Sequence, residues 1–104
     1  MSLSPGRATL LGTVKEADWQ RQVVAWAKRA GWHVHFVWDS RHSPDGWPDL
    51  FCVRGDRMLA LECKTQKGRT TDAQDEWLAW LNAAGVDGWV VRPSDEDLVR
   101  RTLA

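Results

Sequence analysis

The hydrophobic pattern changes period several times along the chain, and each change marks an element. From Val14 to Ala30, the residues Trp19, Val23, Trp26, Ala27 and Ala30 recur at helical spacing, and Gly31 supplies the stop. Trp32 to Trp38 then alternates strictly, which predicts a strand. Two apolar runs, Asp49 to Arg54 and Arg57 to Thr65, flank Gly55-Asp56, a two-residue hairpin turn with glycine first. A second helix starts at Thr71, with Trp77, Leu78, Trp80 and Leu81 as its apolar face and Gly85 as its end. Gly88 to Arg92 predicts a short buried strand, Pro93 breaks it, and Ser94 is expected to cap a last helix whose apolar positions are Leu98, Val99 and Leu103. Residues Met1 to Gly12 show no period and are expected to form a loose arm, leaving residues 13–104 as a single domain.

The predicted order is therefore α, three strands, α, strand, α. Three antiparallel neighbours followed by a helical crossover to a parallel strand make a mixed four-stranded α/β sheet. Apolar residues on both faces of the hairpin require helices on both sides of that sheet.

The hairpin turn also fixes a register. If Gly55 and Asp56 are the turn, Val53 faces Met58, Phe51 faces Ala60 and Asp49 faces Glu62. Asp49, Glu62 and Lys64 then project from one face at the open end of the hairpin. Two carboxylates directly opposite each other stand about 5 Å apart at Cβ, and like charges so placed are destabilising unless something compensates. A divalent cation with a preference for hard oxygen ligands, magnesium above all, would do so.

Composition narrows the partners. Lysine plus arginine equals aspartate plus glutamate at 14 each, so nucleic-acid binding has to rely on a local patch rather than on overall charge. Gln66-Lys67-Gly68-Arg69-Thr70, a basic stretch read as flexible, leaves the end that carries Glu62 and Lys64 and is one such patch, with Lys67 and Arg69 as phosphate contacts. The loop Asp39 to Trp47 supplies Arg41, His42 and Ser43 as further candidates. Eight tryptophans and no tyrosine provide rings for the core and for a partner subunit. Cys52 and Cys63 fall on the hairpin face opposite the acids, roughly 13 Å apart along the strands, too far for a disulfide. Reduced buried thiols, with no signal peptide and no membrane-length apolar run, indicate an intracellular protein. His33 and His35 with either cysteine suggest zinc, but the spacing that zinc motifs require is missing.

Pro48-Asp49 followed by Glu62-Cys63-Lys64 resembles the PD-(D/E)xK nuclease signature. Glu16-Ala17-Asp18-Trp19-Gln20, Gly31-Trp32, Asp39-Ser40-Arg41, Gly46-Trp47-Pro48-Asp49-Leu50, Lys64-Thr65, Gly68, Gln74 and Trp77-Leu78 together resemble its VRR-NUC branch, in particular the small stand-alone members of phages and bacteria. The resemblance spans Thr13 to Asp95. It implies a restriction-endonuclease-like core and a magnesium- or manganese-dependent DNA endonuclease with Asp49, Glu62, the Cys63 carbonyl and Glu16 as metal ligands. Lys64 would orient or deprotonate the attacking water, and Gln74 would support the site. Two of these residues have a rival explanation: Thr13-x-x-Glu16 and Thr71-x-x-Gln74 both read as helix-capping boxes.

By the same resemblance the substrate is branched DNA of the Holliday-junction kind, cut by a homodimer, in a phage or DNA-repair setting. One site per small subunit makes a dimer the simplest way to cut two strands. The alternatives are a non-catalytic DNA-binding subunit of a larger complex, or a nuclease for flaps, duplex or RNA.

Overall fold

In the computed structural model, which describes residues 11–37 and 43–104, four strands form one sheet in the order β1-β2-β3-β4. Helix α1 covers Glu16–Arg29 and leads to β1, His33–Phe36; the hairpin strands β2, Leu50–Arg54, and β3, Arg57–Cys63, follow. Helix α2, Asp72–Ala83, crosses to β4, Asp87–Val91, and a 3-10 turn at Pro93–Asp95 opens into α3, Glu96–Leu103. β1 pairs with β2 and β2 with β3 antiparallel, while β4 is parallel to β3. The expected order and the mixed sheet are both present. The expected arm lies, from Met1 to Leu10, outside the described residues.

The register follows from the turn. Gly55 takes φ +62°, a conformation open to glycine, and Val53 pairs with Met58 and Phe51 with Ala60. Side chains of β2 and β3 then sort by parity. Leu50, Cys52, Leu59, Leu61 and Cys63 face a core shared with Trp19, Val23 and Ala27 of α1 and Val99 and Leu103 of α3. The opposite face carries Phe51 and Ala60 and is covered by α2 and the loop before β2, where Trp47 stacks on Phe51 at 5.0 Å and meets Trp77 edge-on at 4.8 Å. Cys52 and Cys63 are free thiols of the first face. Burial pushes the Cys52 thiol up to about 11 and that of Cys63 higher still, so both stay protonated. His33 and His35 pair with Val53 and Phe51 and so lie across the sheet from both cysteines, which removes the zinc arrangement.

Several expectations shift at element ends. Ser94 does not cap α3: its hydroxyl accepts from Gln66, and the helix follows a 3-10 turn begun by Asp95 accepting from the Arg92 amide at 2.9 Å. Thr13 and Glu16 do not form the capping box of α1, because Glu16 is the first helical residue and Lys15 holds the N-cap position. Strand β4 is an edge strand with only Val91 fully buried, not the buried strand expected. Trp80 and Leu98, assigned to apolar helix faces, are 56% and 47% exposed.

Gly46 brings the segment before β2 onto α2. Its φ is +84°, and a Cβ there would lie 2.4 Å from the carbonyl carbon of Ala73, within the first turn of α2. Both conformation and contact exclude a side chain. Replacing Gly46 with alanine is expected to cost at least about 1 kcal/mol in urea denaturation, because the new side chain fits neither the dihedral nor the space.

Candidate active site

At the open end of the hairpin the ladder continues one residue past β2, with the Val37 amide donating to the Asp49 carbonyl at 3.0 Å. This holds Asp49 opposite Glu62. The two residues are then tied reciprocally: the Asp49 amide donates to Glu62 Oε2 at 3.2 Å, and the Cys63 amide donates to Asp49 Oδ2 at 2.9 Å. Glu62 is 3% exposed, the one charged side chain in the buried class among the described residues.

Its other oxygen is held from two directions. Gln74 Nε2 donates to Glu62 Oε1 at 2.8 Å, and Lys64 Nζ stands 3.8 Å from the same atom. Gln74 also makes the capping box of α2, its Oε1 accepting from the Thr71 amide at 2.9 Å while its own amide donates to Thr71 Oγ1 at 3.2 Å. Cap and site support, rivals in the sequence, are two ends of one side-chain amide.

Burial raises the carboxyl of Asp49 above its usual range; the Cys63 amide works against this, Glu16 adds to it and Lys64 reduces it. Glu62 is pushed up to about 8, first by burial and next by Asp49, with Lys64 opposing and Glu16 adding. Both carboxyls are thus raised chiefly because they are taken out of water. Among the described residues no three His, Cys, Asp or Glu side chains converge at metal-holding distance. The centre is a two-carboxylate one, with exposed Glu16 close enough for its charge to bear on both acids.

Glu16 comes near through an interaction invisible in the sequence. Trp19, one turn along α1, donates its indole N–H to the Val91 carbonyl at 2.9 Å, and the Lys64 amide donates to that same carbonyl at 3.1 Å. One oxygen at the end of β4 thus ties the start of α1 to the strand that carries Glu62 and Lys64. Beside the acids, a cleft of about 340 Å³ is lined by Val37, Ser43–Trp47, Asp49 and Gln74. Ser43 is thus at the site. Lys67 and Arg69 are exposed on the segment that follows Lys64. Arg41 and His42 lie outside the described residues.

Comparison with known proteins bears on the fold. No family model and no curated protein sequence matches the chain. Solved structures do. One, described as a VRR_NUC domain protein, superimposes with a TM-score of 0.68 at 24% identity over 86% of this chain and 85% of its own. The chain carries the VRR-NUC-type fold. A second structure, Archaeoglobus fulgidus Hjc, a Holliday junction resolvase from an archaeal hyperthermophile, gives a TM-score of 0.54 at 24% identity over 71% of this chain and 65% of its own. Both have the restriction-endonuclease-like core that the resemblance implied.

The raised carboxyls give the site a pH dependence of defined sign. Between the ordinary glutamate value of 4.5 and about 8, folded Glu62 holds a proton that the unfolded chain releases. Stability of the metal-free protein therefore falls as pH rises through that window. Urea denaturation at several pH values with a chelator present should show this slope, and Glu62→Gln, which keeps the shape without the charge, should flatten it.

Proposed function

We propose that this protein is a divalent-metal-dependent DNA endonuclease that hydrolyses phosphodiester bonds, acting on branched DNA as a homodimer. The observation that carries the reading is half-buried Asp49 facing buried Glu62, with Lys64 Nζ 3.8 Å from Glu62 Oε1. The folds of the VRR_NUC domain protein and of the Hjc resolvase support it.

The donor set suits magnesium or manganese. The donors are hard oxygens, and the two carboxyls are raised first by burial and then by nearby negative charge, both of which a bound cation would offset. Asp49, Glu62, the Cys63 carbonyl and Glu16 would hold it. When bound, such an ion neutralises charge on the phosphate and favours ionisation of water.

The chain's own groups do the rest. Lys64, 15% exposed at its side chain, orients or deprotonates the attacking water and offsets charge on the pentacoordinate oxygens. Gln74 fixes the Glu62 carboxylate, so that Oε2 stays with the Asp49 amide and Oε1 faces Lys64. Ser43, in the cleft, and Lys67 and Arg69, exposed on the segment that follows Lys64, contact phosphates of the nucleic-acid backbone.

A homodimer places two such sites on one branched substrate, and exposed Trp80 on α2 offers aromatic surface of the kind that interfaces use. The buried free thiols support an intracellular setting. No helix among the described residues is long and apolar enough to cross a membrane.

The deciding experiment compares cleavage of labelled four-way junction, flap, duplex and single-stranded DNA with magnesium or manganese. Asp49→Ala should abolish cutting, and Lys64→Ala should lower the rate by about 10²–10⁴-fold with DNA binding retained. Binding to all four without cleavage would instead identify a DNA-binding subunit. Light scattering after size exclusion should give twice the mass of the chain at micromolar concentration, and a monomer there would overturn the dimer.

A further inference from the structure

The segment after Lys64, which the sequence presents as a flexible basic stretch, is held firmly from the side of β4. Arg92 Nη1 donates to the carbonyl of Thr65 at 2.7 Å and also to the carbonyl of Gly68. Gln66 and Ser94 exchange two hydrogen bonds, Gln66 Nε2 to Ser94 Oγ at 2.9 Å and the Ser94 amide to Gln66 Oε1 at 3.0 Å. Within the segment, the Gly68 amide donates to Thr65 Oγ1 at 2.9 Å, closing a tight turn. A Cβ on Gly68 would lie 2.7 Å from that hydroxyl, so the turn closes this tightly only around glycine. Arg92 is itself fixed, its amide donating to Asp95 Oδ2 at 2.9 Å.

These bonds sort the segment by exposure. Thr65, Gln66, Gly68 and Thr70 are half-buried, whereas Lys67 and Arg69 are exposed. Among the described residues neither of those two cations makes an ion pair. A strap pinned through its backbone thus carries two uncommitted positive charges directly downstream of the acid pair. For phosphate binding this matters because ordering a loose loop consumes much of what each contact gains, and a loop ordered beforehand keeps that gain.

We propose that Arg92, with the Gln66–Ser94 pair, is a positioning residue for nucleic-acid binding: it holds residues 65–70 so that Lys67 and Arg69 meet backbone phosphates of the strand lying across Asp49 and Glu62. This rests on the reading of the site as a phosphodiester-hydrolysing one. Arg92 itself contacts no substrate. It acts through the carbonyls of Thr65 and Gly68, and its loss weakens binding while the hydrolytic groups stay in place.

The test is a double-mutant cycle read by DNA binding. The full chain and labelled four-way junction DNA are titrated in calcium across a range of KCl concentrations, and kcat and KM are measured separately in magnesium. Replacing Lys67 and Arg69 together by alanine should reduce the slope of log K against log salt by about two, one for each phosphate that is no longer neutralised. Arg92→Met, which removes the donors and keeps the bulk, should reproduce most of that reduction, raise KM about tenfold and leave kcat within about threefold. Adding the two alanines to Arg92→Met should then change affinity by less than about threefold, because the cations no longer have their placement.

Full additivity, or an unchanged salt slope in Arg92→Met, would overturn the proposal. So would a fall in kcat without a change in KM, which is what a disturbed β4 would give. If Arg92→Met fails to fold, Gln66→Ala with Ser94→Ala carries the same cycle and the same criteria. A wild-type chain that binds none of the DNA forms would overturn the underlying functional reading as well. Additive effects in a wild type that does bind would remove only the positioning role.

Discussion

Two carboxylates forced to face each other in a buried place are the constraint on which this molecule turns. The pairing of β2 with β3 leaves no freedom in the matter: the turn at Gly55 sets the register, and the register sets Asp49 against Glu62. Almost everything else near the open end of the hairpin answers that repulsion. Two backbone amides, a glutamine amide and a lysine ammonium converge on the two carboxylates. They lessen the cost of taking two carboxyls out of water without removing it, as the upward displacement of both shows. A fold built to be stable alone would place an apolar pair in those positions.

The supports come from parts of the chain far apart in sequence. Gln74 belongs to the helix after the hairpin, and Trp19 to the helix that precedes the sheet. The Val91 carbonyl, at the end of the last strand, accepts from both Trp19 and Lys64. The end of the sheet is therefore a junction of three elements. Its geometry exists only when the whole sheet is assembled, because β4 reaches β3 through a crossover and not through a turn.

This division explains what could be read from the residues alone. The hairpin, its register and the acid pair were legible because they depend on a local turn and a two-residue alternation. Helix positions were legible for the same reason, through spacing. Caps were not, since a Thr-x-x-Glu string and a Thr-x-x-Gln string look alike and only the second caps a helix here. Gly46 could be seen as part of a motif, but its need to lie against Ala73 depends on where α2 crosses the sheet. The exposure of Trp80 and Leu98 is likewise tertiary, because each helix has more apolar positions than the sheet has surface to cover. Arg92 gave no signal: an arginine that bonds to carbonyls is indistinguishable in sequence from one that lies in solvent.

The alternation of β3 has a last consequence, for how the protein tolerates change. Leu59, Leu61 and Cys63 point to the dry face, whereas Ala60 and Glu62 between them point to the face that meets α2 and the cleft. Neighbouring positions in one short strand thus answer to different demands, one for volume and the other for charge and reach. Apolar residues of similar size can replace one another on the first face without disturbing the chemistry. On the second, a change at Glu62 loses the hydrogen bonds from the Asp49 amide and from Gln74. Such a strand can diverge at every other position and still present the same glutamate opposite Asp49, with Lys64 one residue beyond its end.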